Sequence, residues 1–119
     1  MEKELFDYVA QRAGVLSTAD TSTQVTKDAA LAWKAAVAAD SSDAAVKDAT
    51  NKLLDIRPTT IDGVIAFAEG PAKELFGEEA AAQMLAEQIK RKEQGAKYCN
   101  CEACTAASEL LAKFGRIEL

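Results

Sequence analysis

The chain contains no histidine, and of all that its 119 residues lack, this removes the most chemistry. Without an imidazole no Ser–His or Cys–His nucleophile–base pair can form, and zinc sites of the mixed cysteine–histidine kind are excluded as well. Proline occurs only twice and glycine six times. The glycines are isolated and fall at expected helix ends, so neither a Walker loop nor a dinucleotide fingerprint is present. No stretch approaches the ~20 consecutive apolar residues of a membrane span. Lys and Arg form no run longer than Lys90-Arg91-Lys92 and the net charge is −5. The concentrated basic face that a phosphate backbone requires is therefore missing, and nucleic acid is not expected as a partner. Met1-Glu2-Lys3-Glu4-Leu5-Phe6-Asp7 is acidic and lacks the apolar core of a secretory leader. The expectation is a cytoplasmic protein, in which thiols stay reduced unless they are catalytic or sensing.

Hydrophobic residues make up 49% of the chain, and about a fifth of all residues are alanine. Alanine combines the best helix propensity with the smallest apolar side chain, so close-packed helices are expected. The length suits one compact domain, residues 1–119, with a radius of gyration of roughly 14 Å and a core that does not depend on the cysteines. Leu5, Tyr8, Val9, Arg12 and Leu16 recur at helical spacing, with Gly14 expected to loosen or end that helix. Val25, Ala29, Ala32, Trp33, Ala36 and Val37 mark a second helix behind an N-cap at Ser22 or Thr23, with Trp33 as core anchor. The stretch Asp40-Ser41-Ser42-Asp43 offers a cap for a third, carrying Val46, Ala49, Leu53 and Leu54 and stopping before Pro58. Thr59 or Thr60 caps a fourth with Ile61, Val64, Ile65 and Ala68 on one side. Pro71 to Phe76 reads as a short helix, with Leu75 and Phe76 as core residues. Glu78 to Gln94 reads as the longest, with Ala81, Met84, Leu85 and Ile89 as its apolar face and Gly95 just beyond its end. A last helix should start at Asn100 to Glu102 and end at Gly115. The fold class is all-α, a compact bundle of five to seven short helices, with no convincing strand.

All three cysteines lie within six residues, as Cys99-Asn100-Cys101-Glu102-Ala103-Cys104. Thiolates bind zinc at about 2.3 Å, and a turn leading into a helix can direct two or three sulfurs to one ion. With Asn100 or Cys101 as N-cap, the free amides and the dipole of the first turn stabilise negative sulfur and lower the thiol pKa, an effect to which Lys97 could add. The metal ligands read from the sequence are Cys99, Cys101 and Cys104. Zinc is the first choice, and Cu(I) also suits a three-sulfur site. An iron–sulfur cluster would want a fourth cysteine. A closed zinc site needs a fourth ligand, which here must be a carboxylate such as Glu102, Glu87 or Glu93, a water, a second copy of the chain or a small-molecule thiol. Cys101 and Cys104 also form a Cys-x-x-Cys pair close enough for reversible oxidation, although the βαβ context of thioredoxin-like proteins is absent. Packing as a small apolar residue is the plainer alternative, strongest for Cys104 beside Ala107, Leu111 and Phe114.

The segment around the cysteines resembles the metal-binding loop of small heavy-metal-associated domains, whose Met-x-Cys-x-x-Cys precedes an amphipathic helix. That likeness covers about twenty residues, and those domains need strands on both sides of the helix. A broader resemblance is to small helical bacterial proteins with a C-terminal Lys-Tyr-Cys-x-Cys-x-x-Cys segment, here Lys97 to Cys104, and an Ile-Asp-x-x-Ile-Ala-Phe-Ala-Glu stretch, here Ile61 to Glu69. Such proteins are sometimes labelled heat-shock or chaperone-like. The resemblance implies the length, the helical content and the cysteine motif.

No catalytic residue is assigned. Asp55, Asp62, Glu69, Glu74, Glu78 and Glu79 read as caps and solvated helix faces, because linear spacing does not place two carboxylates in one pocket. Phe67, offset from its helix's main stripe, is a candidate for a groove or interface. Alanine faces at Ala35 to Ala39 and Ala80 to Ala82 permit close helix contact within the monomer or between copies. The leading reading is a soft-metal-binding protein. A helical adaptor or stress-associated binding module, engaging a protein partner or its own copy, is the alternative, and a thiol redox sensor the third.

Overall fold

The computed structural model describes residues 2–118, and among them the protein is all-α. Seven helices follow one another as α1 (Lys3–Thr18), α2 (Gln24–Ala39), α3 (Asp43–Leu53), α4 (Ile61–Glu69), α5 (Pro71–Phe76), α6 (Glu78–Glu93) and α7 (Glu102–Lys113). Their starts follow local chemistry. Thr23, Ser42 and Thr60 each accept a hydrogen bond from the backbone amide three residues on, which satisfies one of the donors a first helical turn leaves open. Gly77, at φ 91°, separates α5 from α6 in a conformation that side chains disfavour.

The helices fall into two groups. α1 packs on α2 and α7, and α2 packs on α3; α4, α5 and α6 pack on one another. Val9, Leu16, Trp33, Leu53, Leu54, Leu110 and Leu111 lie at the centre of the first group's core. Ile61, Val64, Ala68, Ala72 and Ala81 are buried within the second. Two groups side by side make the molecule 50 × 26 × 18 Å with a radius of gyration of 15.9 Å, longer than a sphere of this mass. Trp33 is the anchor expected. Its ring stacks on Phe6 with centroids 5.5 Å apart, and its indole N–H donates to Thr50 Oγ1 at 3.0 Å. At the α1–α7 contact, Tyr8 donates to the Glu109 carbonyl at 3.2 Å, and Arg12 pairs with the Glu109 carboxylate at 2.7 Å while lying over the Tyr8 ring.

Several face assignments need correction. Gly14 does not end α1, which runs four residues further, with Leu16 buried beyond it and the Ser17 and Thr18 hydroxyls bonded to the Gly14 carbonyl. Val25 is 78% exposed, and Ala32 and Ala36 are exposed too, because α2 meets its neighbours through Ala30 and Trp33. Leu75 and Phe76 are 66% and 56% exposed, since six-residue α5 buries only Ala72. On α6 it is Gln88, not Ile89, that is buried. Its amide is satisfied on both sides, donating to Asn100 Oδ1 at 3.1 Å and accepting from Arg91 at 2.7 Å, so burial costs it little.

Thr50→Val should destabilise the protein by about 1–3 kcal/mol, because it leaves the buried indole N–H of Trp33 without an acceptor. Leu75→Ser, at an exposed site, should stay within about 0.5 kcal/mol. Urea denaturation midpoints of the two variants check the contrast.

Candidate metal centre

Where α6 ends, Gly95 adopts φ 92°, and two hydrogen bonds close the helix: Gly95 N–H to the Lys92 carbonyl and Ala96 N–H to the Arg91 carbonyl, both 3.0 Å. This glycine-terminated motif reverses the chain. The next residues run extended beside the segment between α3 and α4. Ile61 N–H donates to the Lys97 carbonyl at 2.9 Å, Cys99 N–H donates to the Thr59 carbonyl at 2.8 Å, and Thr60 and Tyr98 form an antiparallel bridge. The two connections that join the helix groups are thus bonded to each other, and the cysteines sit at that seam. Cys101 is the N-cap of α7, its sulfur accepting from Cys104 N–H.

The sulfurs of Cys99, Cys101 and Cys104 all lie within 4.8 Å of one another, and each residue is half-buried. Sulfurs sharing one zinc at about 2.3 Å stand roughly 3.8 Å apart in a tetrahedral site, so only a small contraction separates this arrangement from a bound ion. Every sulfur accepts one backbone amide: Cys101 N–H to Cys99 at 3.4 Å, Cys104 N–H to Cys101 at 3.3 Å, and Thr59 N–H to Cys104 at 3.4 Å. Donors directed at sulfur stabilise thiolate and orient it, the outer-shell support that metal ligands require. Ala103 N–H, another free amide of the first turn, donates to Thr21 Oγ1 at 3.1 Å, which ties the start of α7 to the α1–α2 loop.

The cluster divides its protons unevenly. Cys104 is lowered from an ordinary 9.0 to about 5, first by the hydrogen bond from the Cys99 thiol and then, against the opposing effect of burial, by the Thr59 amide and the Cys101 thiol. Cys99, as donor to Cys104 and partly desolvated, is pushed up. Cys99 keeps its proton beside the Cys104 thiolate, because removing it would oppose the charge already there.

All three ligands expected from the spacing come together, and they are free thiols. The carboxylates considered as a fourth ligand do not join them. Among the described residues the group consists of the three cysteines, and Glu87, Glu93 and Glu102 are exposed. Lys97 is also exposed, and its backbone carbonyl serves the seam. Thr59 was legible only as a cap candidate; its amide reaches a sulfur 45 residues away in sequence. Thr21 gave no signal beyond its place in a polar turn. The chain matches no protein-family model, no curated protein and no solved structure. The chemistry of the centre therefore rests on its own atoms.

In chelator-treated protein, one thiol per chain should react with iodoacetamide at pH 6.5, and peptide mapping should find the label on Cys104. Reaction of all three thiols together, and only above pH 8, would contradict this. The lowered Cys104 value contributes folding stability that is complete above about pH 9 and lost as pH falls toward about 5. The raised Cys99 value acts in the opposite sense, its contribution being lost as pH climbs past the ordinary thiol range.

Proposed function

We propose that the protein binds a soft metal ion, zinc in the first place and Cu(I) as the alternative, through the thiolates of Cys99, Cys101 and Cys104, and that it does so in the cytoplasm. The observation that carries this reading is the set of three sulfurs within 4.8 Å, each already supplied with a backbone N–H donor. Zn(II) fits the donor set as a borderline-soft ion that accepts three sulfurs and a fourth donor, and Cu(I) fits because it accepts three. Either ion would offset the repulsion between neighbouring thiolates.

The four-helix core of α1, α2, α3 and α7 is built from aliphatic and aromatic side chains, with Cys101 packed against its edge. Metal loss should therefore act on the seam and leave the helices in place. Expected are about one zinc per chain in protein purified without tag or chelator, and three thiols shielded from a thiol reagent until the ion is removed. Cys101→Ser/Cys104→Ser should lose the ion with little change in far-ultraviolet circular dichroism. Hydrogen exchange at Ile61 and Cys99, whose amides bridge the seam, should speed up on chelation. Three freely reactive thiols and no metal in the fresh protein would refute the reading.

A second reading, a helical module for a protein partner, draws on the exposed Leu75 and Phe76, the latter set edge-on to Phe67 at 6.2 Å. Under that reading, Phe76→Ser would abolish partner capture and Cys101→Ser/Cys104→Ser would spare it.

A further inference from the structure

Beside Cys99 the surface opens into a cleft of about 320 Å³, whose lining includes Arg91, Lys97, Tyr98, Asn100 and Ser108. That volume is about ten times the share of one water molecule and falls in the range of small-molecule sites. Its charge is positive. Arg91 uses one N–H on Gln88, and among the described residues neither Arg91 nor Lys97 has a carboxylate within 4.0 Å. Glu109 also borders the cleft, but its carboxylate is engaged by Arg12 at 2.7 Å. The cleft thus meets the sulfur cluster at Cys99, one of the three proposed ligands.

We infer that the fourth ligand of the metal is a small thiol carrying a carboxylate, seated in this cleft with its sulfur on the ion and its carboxylate between Arg91 and Lys97. The inference rests on the metal reading above. Three thiolates on a divalent ion leave one negative charge, and a fourth thiolate makes two. A carboxylate adds a third, so a cleft with two uncommitted cations matches such a ligand and not a neutral one. The exchange balances simply: the incoming thiol gives its proton to solvent, its sulfur bonds the ion and a water leaves. No electron is transferred. The protein would then hold its metal as a mixed complex, with the small thiol setting how readily the ion is released.

Cobalt(II), whose visible spectrum reports the number of sulfur ligands, makes the test direct. The full chain loaded with cobalt under anaerobic conditions is titrated with N-acetylcysteine and, separately, with its uncharged amide. N-acetylcysteine should strengthen the sulfur-to-cobalt charge-transfer band, saturating at one thiol per chain, and should bind about three- to tenfold more tightly than the amide, as expected for ion pairs that are partly solvated. Arg91→Gln/Lys97→Gln should erase that preference, and the two single variants should each reduce it. An unchanged spectrum, equal affinity for the two probes or removal of cobalt by the thiol would each overturn the inference. So would a four-sulfur spectrum before any thiol is added in a species that light scattering finds to be a dimer, since a second copy would then supply the ligand. In these four cases cobalt has bound and the metal reading survives. Failure of cobalt to bind at all strikes the metal reading itself, and this inference falls with it.

Discussion

Two short stretches of extended backbone hold this molecule's halves in register. The segment leading into α4 and the segment leading out of α6 exchange main-chain hydrogen bonds at Thr59, Ile61, Lys97 and Cys99. The substantial helix-to-helix contacts all lie within one helix group or the other, so the relative position of the groups depends on this pairing. The same backbone directs an amide at the Cys104 sulfur. One constraint therefore sets both the shape of the molecule and the arrangement of the thiols, and neither can change without the other.

The energetic division is equally clear. Apolar burial among α1, α2, α3 and α7 stabilises the larger group, with Cys101 packed at its edge, and the Trp33–Thr50 hydrogen bond lies well inside it. The seam adds directional bonds at partly exposed residues, where each contributes on the order of 1 kcal/mol. An ion bound there would add its energy at the seam.

What the sequence disclosed was what depends on neighbours along the chain. Helix starts at Thr23, Ser42 and Thr60 could be read because a cap acts over three residues, and the stop at Gly95 because a left-handed residue favours glycine. The grouping of Cys99, Cys101 and Cys104 was legible for the same reason. Buried faces were less so. Val25 and Ile89 fit a helical stripe, yet each lies where no other helix covers it, while Gln88 is buried because Asn100 and Arg91 happen to satisfy it. Thr59 illustrates the limit, since its bond to a cysteine in another helix arises from a pairing of connections that no periodicity encodes.

The position of α7 in this order has a consequence for biosynthesis. Leu110 and Leu111 complete the core around Val9, Leu16 and Trp33, yet they follow the whole of α4, α5 and α6 in the chain. A nascent polypeptide emerging from its N-terminus must carry the first three helices with one wall open until α7 arrives, and the thiols arrive on the same few residues. Closing that long loop is slow compared with forming any single helix. Closure of the core and the bond from the Thr59 amide to sulfur thus wait on the same helix, because α7 carries Leu110, Leu111 and Cys104 together.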